Sequence, residues 1–312
     1  MAIQIKNLSY VYSPGTPFSH LALDDVSLEV PDGEFFGIIG HTGSGKSTLV
    51  QHFNALILPQ KGDVMIFGQS VNNHRTDPEV RREIKEKKRS KKQLKQDKIN
   101  LKALRRQVGM VFQYPEYQLF AETVFDDVAF GLKNFGEEDK SPEALEKQVR
   151  EALELVGLDF DEVRNRSPFE LSGGQKRRAA IAGVIVTKPK VLILDEPTAG
   201  LDPRGKKEIL ALIHELKRTC SPTVIMICHD MNEIAEHCTR VAVLEKSKVR
   251  FVLPPEELFL RGDLIEELGL ELPAPCRIAR ALNKRGFDLP ENLFDAASLS
   301  RALGEALRRP PC

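Results

Sequence analysis

Residues Gly40-His41-Thr42-Gly43-Ser44-Gly45-Lys46-Ser47 sit between an apolar run, Phe35-Phe36-Gly37-Ile38-Ile39, and a stretch from Ser47 to Gln51 that suits the start of a helix. Strand, glycine loop and helix in that order constrain the fold of the whole domain, because they define the first unit of a parallel α/β sheet. Gly40, Gly43 and Gly45 admit backbone angles and close approaches that a Cβ blocks, so successive N–H groups turn inward around an anion. The helix start favours negative charge at the same point. Lys46 is placed to reach the β- and γ-phosphates of a nucleoside triphosphate, and the Ser47 hydroxyl to reach its metal ion.

Two further apolar runs lead to the same edge of such a sheet. Val191-Leu192-Ile193-Leu194 reads as a central strand and ends in Asp195-Glu196; Thr223 to Cys228 reads as another and delivers His229. An Asp-Glu pair alone suits a solvated loop, and a lone histidine after a strand is more often structural than catalytic. The phosphate loop upstream changes the weight of both. Leu171-Ser172-Gly173-Gly174-Gln175 adds a second glycine-rich phosphate binder ahead of a helix carrying Lys176 to Ala182, with one hydroxyl and free N–H groups to offer. Its plainer reading is an ordinary helix cap.

The phosphate loop, the Leu171–Gln175 signature and the strand ending in Asp195-Glu196, in this order, resemble the ATP-binding-cassette ATPases. The resemblance implies an α/β P-loop cassette with a RecA-like core, an antiparallel β subdomain and a helical signature subdomain. It implies ATP and Mg²⁺ as cofactors, with Ser47, Gln113 and Asp195 at the metal, Asp195 acting through water. Glu196 is the expected general base and His229 the switch histidine at the γ-phosphate, with Lys46 and Gln113 completing the catalytic set. Thr42, Ser44 and Thr48 join His41 and the glycines around the nucleotide. Ser172, Gly173, Gly174 and Gln175 are expected to cap ATP held by an opposing subunit, and Asp202 to cross that interface. Tyr12, at the end of the first strand, is expected to stack on adenine, with Tyr10 on the same face an open alternative.

Gly15-Thr16-Pro17-Phe18, Phe112 to Phe120, Arg166 to Gln175, Glu196 to Gly205 and Gly269 to Pro273 extend the resemblance to the ATP-binding subunits of energy-coupling factor transporters, importers of vitamins and transition-metal ions. The Gly15–Phe18 loop and His41 lean toward the second of two paralogous ATPases. This implies a heterodimer with a similar ATPase, a transmembrane coupling protein and, through it, a substrate-binding membrane protein, with the chain peripheral on the cytoplasmic face. Tyr114, Pro115, Glu116, Gln118, Leu119 and Phe120 interleave aromatic and apolar groups with a carboxylate and are the expected docking groove, Glu116 taking a partner arginine. A cassette domain is expected over 1–245, with a helical arm over about 114–185 and a basic helical insertion over about 74–106. A dimerisation region of small size is expected over 246–312. Ser247 and Val252 to Pro255 depart from a glycine-bearing turn expected in the hairpin at this boundary. The basic run suits a solvated insertion or contact with anionic headgroups.

Lys plus Arg equals Asp plus Glu at 45 each, so no global field attracts nucleic acid, and none is expected as a partner. Soluble cassette ATPases acting on ribosomes or chromosomes carry paired cassettes or long coiled coils, and neither pattern is present. No apolar run reaches the roughly 18 residues of a membrane span. The cysteines at 220, 228, 238, 276 and 312 form no metal-binding or C-x-x-C spacing and read as free thiols.

Overall fold

The computed structural model describes residues 1–71, 100–135 and 141–308. The basic insertion expected over 74–106 therefore lies mostly outside the described residues. Its end is a short helix whose N-cap, Asn100, accepts a hydrogen bond from the Ala103 N–H.

Strands β1 (Ile3–Tyr12) and β2 (His20–Val30) alternate buried and exposed residues, as strands with one solvated face do. They pair antiparallel and, with β4 (Lys61–Ile66) and β5 (Gln69–Ser70), form a four-stranded sheet in the order β2-β1-β4-β5. By contrast β3 (Phe35–Gly40), β6 (Val108–Val111), β7 (Val191–Asp195) and β8 (Thr223–Ile227) are buried along their whole length. With β9 (Arg240–Glu245) and β10 (Lys248–Leu253) they make a second sheet, β10-β9-β3-β8-β7-β6, parallel except for β10. The chain passes from β8 on one side of β3 to β9 on the other. The strand order thus reverses at β3, and the crevice beyond its carboxyl end is where open α/β sheets hold ligands.

β3 also divides the interior. Phe35 and Ile39 belong to one core with the helical layer, whereas Phe36 and Ile38 belong to another with Ile3, Ile5 and Leu8 of the antiparallel sheet. The period of two along one strand therefore joins both layers. The helices are α1 (Lys46–Phe53), α2 (Leu101–Gln107), α3 (Val124–Phe135), α4 (Pro142–Leu155), α5 (Phe160–Val163), α6 (Gly173–Ile185), α7 (Pro203–Thr219) and α8 (Met231–His237). Helices α3 to α6 fall within the range 114–185 named above for a helical arm. Ser141 caps α4 ahead of Pro142, accepting from the Ala144 N–H, and Gly157 follows its end in the left-handed region.

The turn joining β9 to β10 carries Lys246 and Ser247 at φ 47° and 67°, a pairing that usually calls for Asn or Gly. Contacts to β2 offset that cost. The Ser247 hydroxyl donates to the Leu21 carbonyl at 3.0 Å, and its carbonyl accepts from the Asp24 N–H at 2.8 Å. The hairpin is thus complete despite the missing glycine, and the break expected after residue 245 falls inside it. Four helices follow, α9 (Pro255–Leu260), α10 (Gly262–Glu267), α11 (Ala274–Asn283) and α12 (Ala296–Arg308). A small core of Ala279, Leu289, Leu293 and Leu299 joins the last two. Among the described residues no helix is long and apolar enough to cross a membrane.

Candidate active site

The phosphate loop leaves β3 at Gly40 and enters α1 at Lys46. Two of its glycines are required by contact as well as by angle. At φ 147° a Cβ on Gly40 would lie 2.2 Å from the Leu244 carbonyl oxygen, and at φ 102° one on Gly45 would lie 2.4 Å from that of Ala22. The loop is thereby pressed between β9 and β2. Lys46 is buried and folds back over the loop, donating to the Gly40 and His41 carbonyls at 2.7 and 2.8 Å. An ammonium has three donors, so one remains for a phosphate oxygen. Burial pushes Lys46 down from its ordinary pKa, and the nearby Glu196 and Asp195 pull it up.

Beside it, Asp195 ends β7, paired in register with Ile227 of β8. Burial raises the Asp195 carboxyl above the usual range, against a hydrogen bond from Ser47. A buried carboxylate short of positive charge next to a serine hydroxyl is a donor set that suits a hard divalent cation with water in its remaining positions. The Ser44 hydroxyl is buried inside the same loop without a partner among the described residues. His41, Thr42 and Gly43 are exposed along its outer rim.

Glu196 occupies the left-handed region at φ 50°, its N–H donating to the Ile227 carbonyl. This conformation turns its carboxylate into the crevice between two side chains. Gln113 Nε2 donates to Oε2 at 2.8 Å, and His229 Nε2 lies 2.9 Å from Oε1. Gln113 and His229, each following the end of a different strand, therefore both touch Glu196, which follows a third.

The signature lies apart from this cluster. Ser172 is the N-cap of α6 and forms a capping box with Gln175: its Oγ accepts from the Gln175 N–H, and the Gln175 side chain accepts from the Ser172 N–H. The Ser172 O–H proton and the N–H groups of the first turn stay available. Nothing lies within 4 Å of a Cβ built on Gly173 or Gly174, so the helix start faces open space. No hydrogen bond or ion pair among the described residues joins 172–175 to the phosphate loop. Asp202 caps α7, accepting from the Gly205 N–H at 2.8 Å.

Tyr12 is exposed and its hydroxyl lies 3.3 Å from the Thr48 hydroxyl, at the rim of the loop. Tyr10 is instead half-buried with its ring edge-on to His52 at 5.1 Å. Of the residues expected to form a docking groove, Pro115 and Leu119 are buried, and Glu116 is already paired. Its carboxylate accepts from Arg177 Nε and Nη2, both at 3.2 Å. Tyr114, Gln118 and Phe120 are exposed, together with Tyr117. Gln118, Phe120 and Phe130 border a cleft of about 280 Å³ that also touches Leu56, and Phe120 meets Phe130 edge-on at 4.9 Å.

Two side chains near the site were not singled out in the sequence. Arg177 lies on the buried face of α6 with Ile181 and Ile185, four and eight positions on, and a cation in that stripe is the signal that marks it. Glu233 of α8 is buried among Thr198, Cys228 and Lys206, and accepts from the first at 2.8 Å. It ties the segment after Glu196 to the segment before His229.

The model of the ABC transporter family matches residues 23–199, more than half the chain. The chain belongs to the ABC transporter family. Within that family it is 45% identical over 303 residues to the energy-coupling factor transporter ATP-binding protein EcfA2 of Clostridium tetani, covering 97% of this chain and 96% of that one. It is 46% identical over 293 residues to the EcfA2 protein of Symbiobacterium thermophilum, covering 94% and 92%. Among solved structures of the family it resembles cbiO1 of Clostridium perfringens, part of the transporter complex cbiONQ, with a TM-score of 0.67 and 33% identity over 90% of this chain and 98% of that one. A dimeric post-hydrolysis state of the cassette MJ0796, bound to ADP and phosphate, matches with a TM-score of 0.65 and 27% identity over 81% and 98%.

Proposed function

We propose that this chain binds and hydrolyses ATP as the second of two paralogous ATPase subunits of an energy-coupling factor importer. The observation that carries the hydrolytic assignment is the Glu196 carboxylate, turned into the crevice and held on both sides by Gln113 and His229. Each of its oxygens keeps a lone pair, so it accepts a proton from a water without releasing either neighbour. His229, held beside this carboxylate through Nε2, is the residue placed to meet the terminal phosphate. Lys46 and the loop N–H groups would hold the β- and γ-phosphates, and Ser47, Asp195 and Gln113 would hold Mg²⁺. That ion supplies charge neutralisation along the phosphate chain.

The outward-facing start of α6 supports a sandwich of two subunits, in which Ser172, Gly173 and Gly174 cap ATP bound to the partner. Exposed Tyr12, at the loop rim, stacks on the adenine. The cleft at Gln118, Phe120 and Phe130 supports a reading in which it receives a helix of the transmembrane coupling protein, with the chain on the cytoplasmic face of the membrane. Glu116 enters this reading only through Arg177. Co-purification from detergent-solubilised membranes tests the assembly. A paralogous ATPase and a membrane protein are expected in the eluate, and Phe120→Glu is expected to lose the membrane protein while keeping ATPase activity. Recovery of the chain as a lone soluble ATPase overturns the importer assignment.

A further inference from the structure

A single guanidinium joins the segments that carry the separate parts of the site. Arg177 is 4% exposed and commits four of its five N–H donors. Two go to the Glu116 carboxylate, and Nη1 donates to the Pro197 carbonyl at 3.3 Å and the Ala199 carbonyl at 3.1 Å. Each partner is adjacent to a functional residue. Glu116 follows Gln113 by three positions on the 3-10 turn Pro115–Gln118. Pro197 follows Glu196 directly, and Ala199 leads into Asp202. Arg177 itself lies five positions after Ser172. The two segments also approach one another nearby, since a Cβ built at Gly200 would lie 3.6 Å from the ring of Tyr114, whose backbone is left-handed at φ 54°.

We infer that Arg177 is a positioning residue for hydrolysis, holding the Gln113 segment and the Glu196–Asp202 turn in register with the signature helix. The physical case begins with what burial of an ion costs. A buried ion pair is weak evidence for stability, because well-packed apolar side chains at the same place commonly serve as well or better. What apolar side chains lack is direction. The planar fork fixes one carboxylate and two carbonyls at set angles, so a displacement of any one segment strains the other contacts. Gln113 and Glu196 are themselves hydrogen-bonded, and their register therefore depends on two links, one in the crevice and one behind it. Loss of the rear link leaves the phosphate loop untouched, since no Arg177 bond reaches residues 40–48, but lets the carboxylate wander from the geometry that proton transfer needs.

The inference rests on Glu196 as the hydrolytic carboxylate, so Glu196→Gln is run beside it as reference. Single-turnover hydrolysis, ATP affinity and melting temperature are measured on the full chain with its ATPase partner and no membrane component. Arg177→Met is expected to lower turnover about tenfold or more with ATP affinity within about twofold. Arg177→Lys restores part of that loss, and Glu116→Gln, which keeps shape and removes charge, lowers turnover about threefold. The double variant Arg177→Met/Glu116→Gln falls no further than Arg177→Met alone, because both act through one guanidinium. Unchanged turnover in Arg177→Met overturns the inference, and so does a parallel fall of turnover, ATP affinity and melting temperature in every variant, the mark of a merely structural prop. Should Arg177→Met not fold, the Arg177→Lys and Glu116→Gln variants decide: wild-type turnover in both overturns it. Full activity of Glu196→Gln overturns the underlying assignment instead.

Discussion

The two phosphate-binding halves of this chain are built in opposite ways. At the phosphate loop the main groups already have protein neighbours: Lys46 on two carbonyls, Gly40 and Gly45 against β9 and β2, Glu196 between Gln113 and His229. At the signature, Gly173 and Gly174 face open space, and Ser172 touches little beyond its own capping box. The first half is assembled by folding. The second is left as an open surface, and this asymmetry is what the proposed site shared between two subunits calls for.

The largest test strikes the preassembled half. Glu196→Gln keeps the side chain's size but removes the proton acceptor, so turnover is expected to fall about 10²- to 10³-fold with ATP still bound. Turnover within about threefold of wild type in a single-turnover assay removes Glu196 from the mechanism. Next comes the open half. Ser172→Arg places a long cation where a phosphate should arrive, and ATP-driven association with a hydrolysis-deficient partner, followed by size exclusion, is expected to vanish while nucleotide affinity of the monomer stays the same. Normal association in that variant abolishes the contrast between the halves.

A smaller effect is expected at the rim. Tyr12→Ala is predicted to weaken ATP by about fivefold, some 1 kcal/mol of aromatic stacking, and to leave affinity for inorganic triphosphate unchanged. Equal losses for both ligands would assign Tyr12 to the loop rather than to the base. The smallest effect tests how tightly the preassembled half is packed. His52 of α1 is fully buried, donates from Nδ1 to the Thr48 carbonyl at 2.7 Å and has no partner at Nε2 among the described residues. Burial lowers its pKa, against the pull of that carbonyl. The unfolded chain then binds more protons than the folded one, so the stability contribution is present in full above the ordinary histidine value of about 6.5 and is lost as pH falls through it toward the folded value. Melting temperature is expected to drop on acidification across that window, and His52→Leu to flatten the slope. His214, whose pKa is lowered mainly by burial and then by His237, retains a share of it.

Much of the preassembled half was legible because its strands are apolar throughout and end in the residues that matter. Val191–Leu194 and Thr223–Ile227 allow no other placement of Asp195, Glu196 and His229 than one edge of the sheet. The cap at Ser141 and the glycine at 157 bounded α4 equally well. Glu116 misled for a physical reason. A carboxylate among Tyr114, Tyr117 and Phe120 looks like a surface feature, and its partner Arg177 stands 61 positions away, a pairing no local pattern encodes. The hairpin at Lys246-Ser247 was obscured in the same manner, since the contacts that replace glycine come from Leu21 and Asp24 on a distant strand.

The C-terminal helices have a stake in the phosphate loop that their distance in sequence conceals. His41 Nε2 lies 2.6 Å from the Leu268 carbonyl, and a Cβ on Gly269 would come within 2.7 Å of the same ring nitrogen. Ala274, a few residues on, donates its N–H to Asn232 of α8, the helix that follows His229. The segment from 268 to 274 is therefore strung between the two ends of the catalytic crevice like a bowstring. A shift of the C-terminal helices would thus be felt at His41 of the glycine loop and at Asn232 of α8 together.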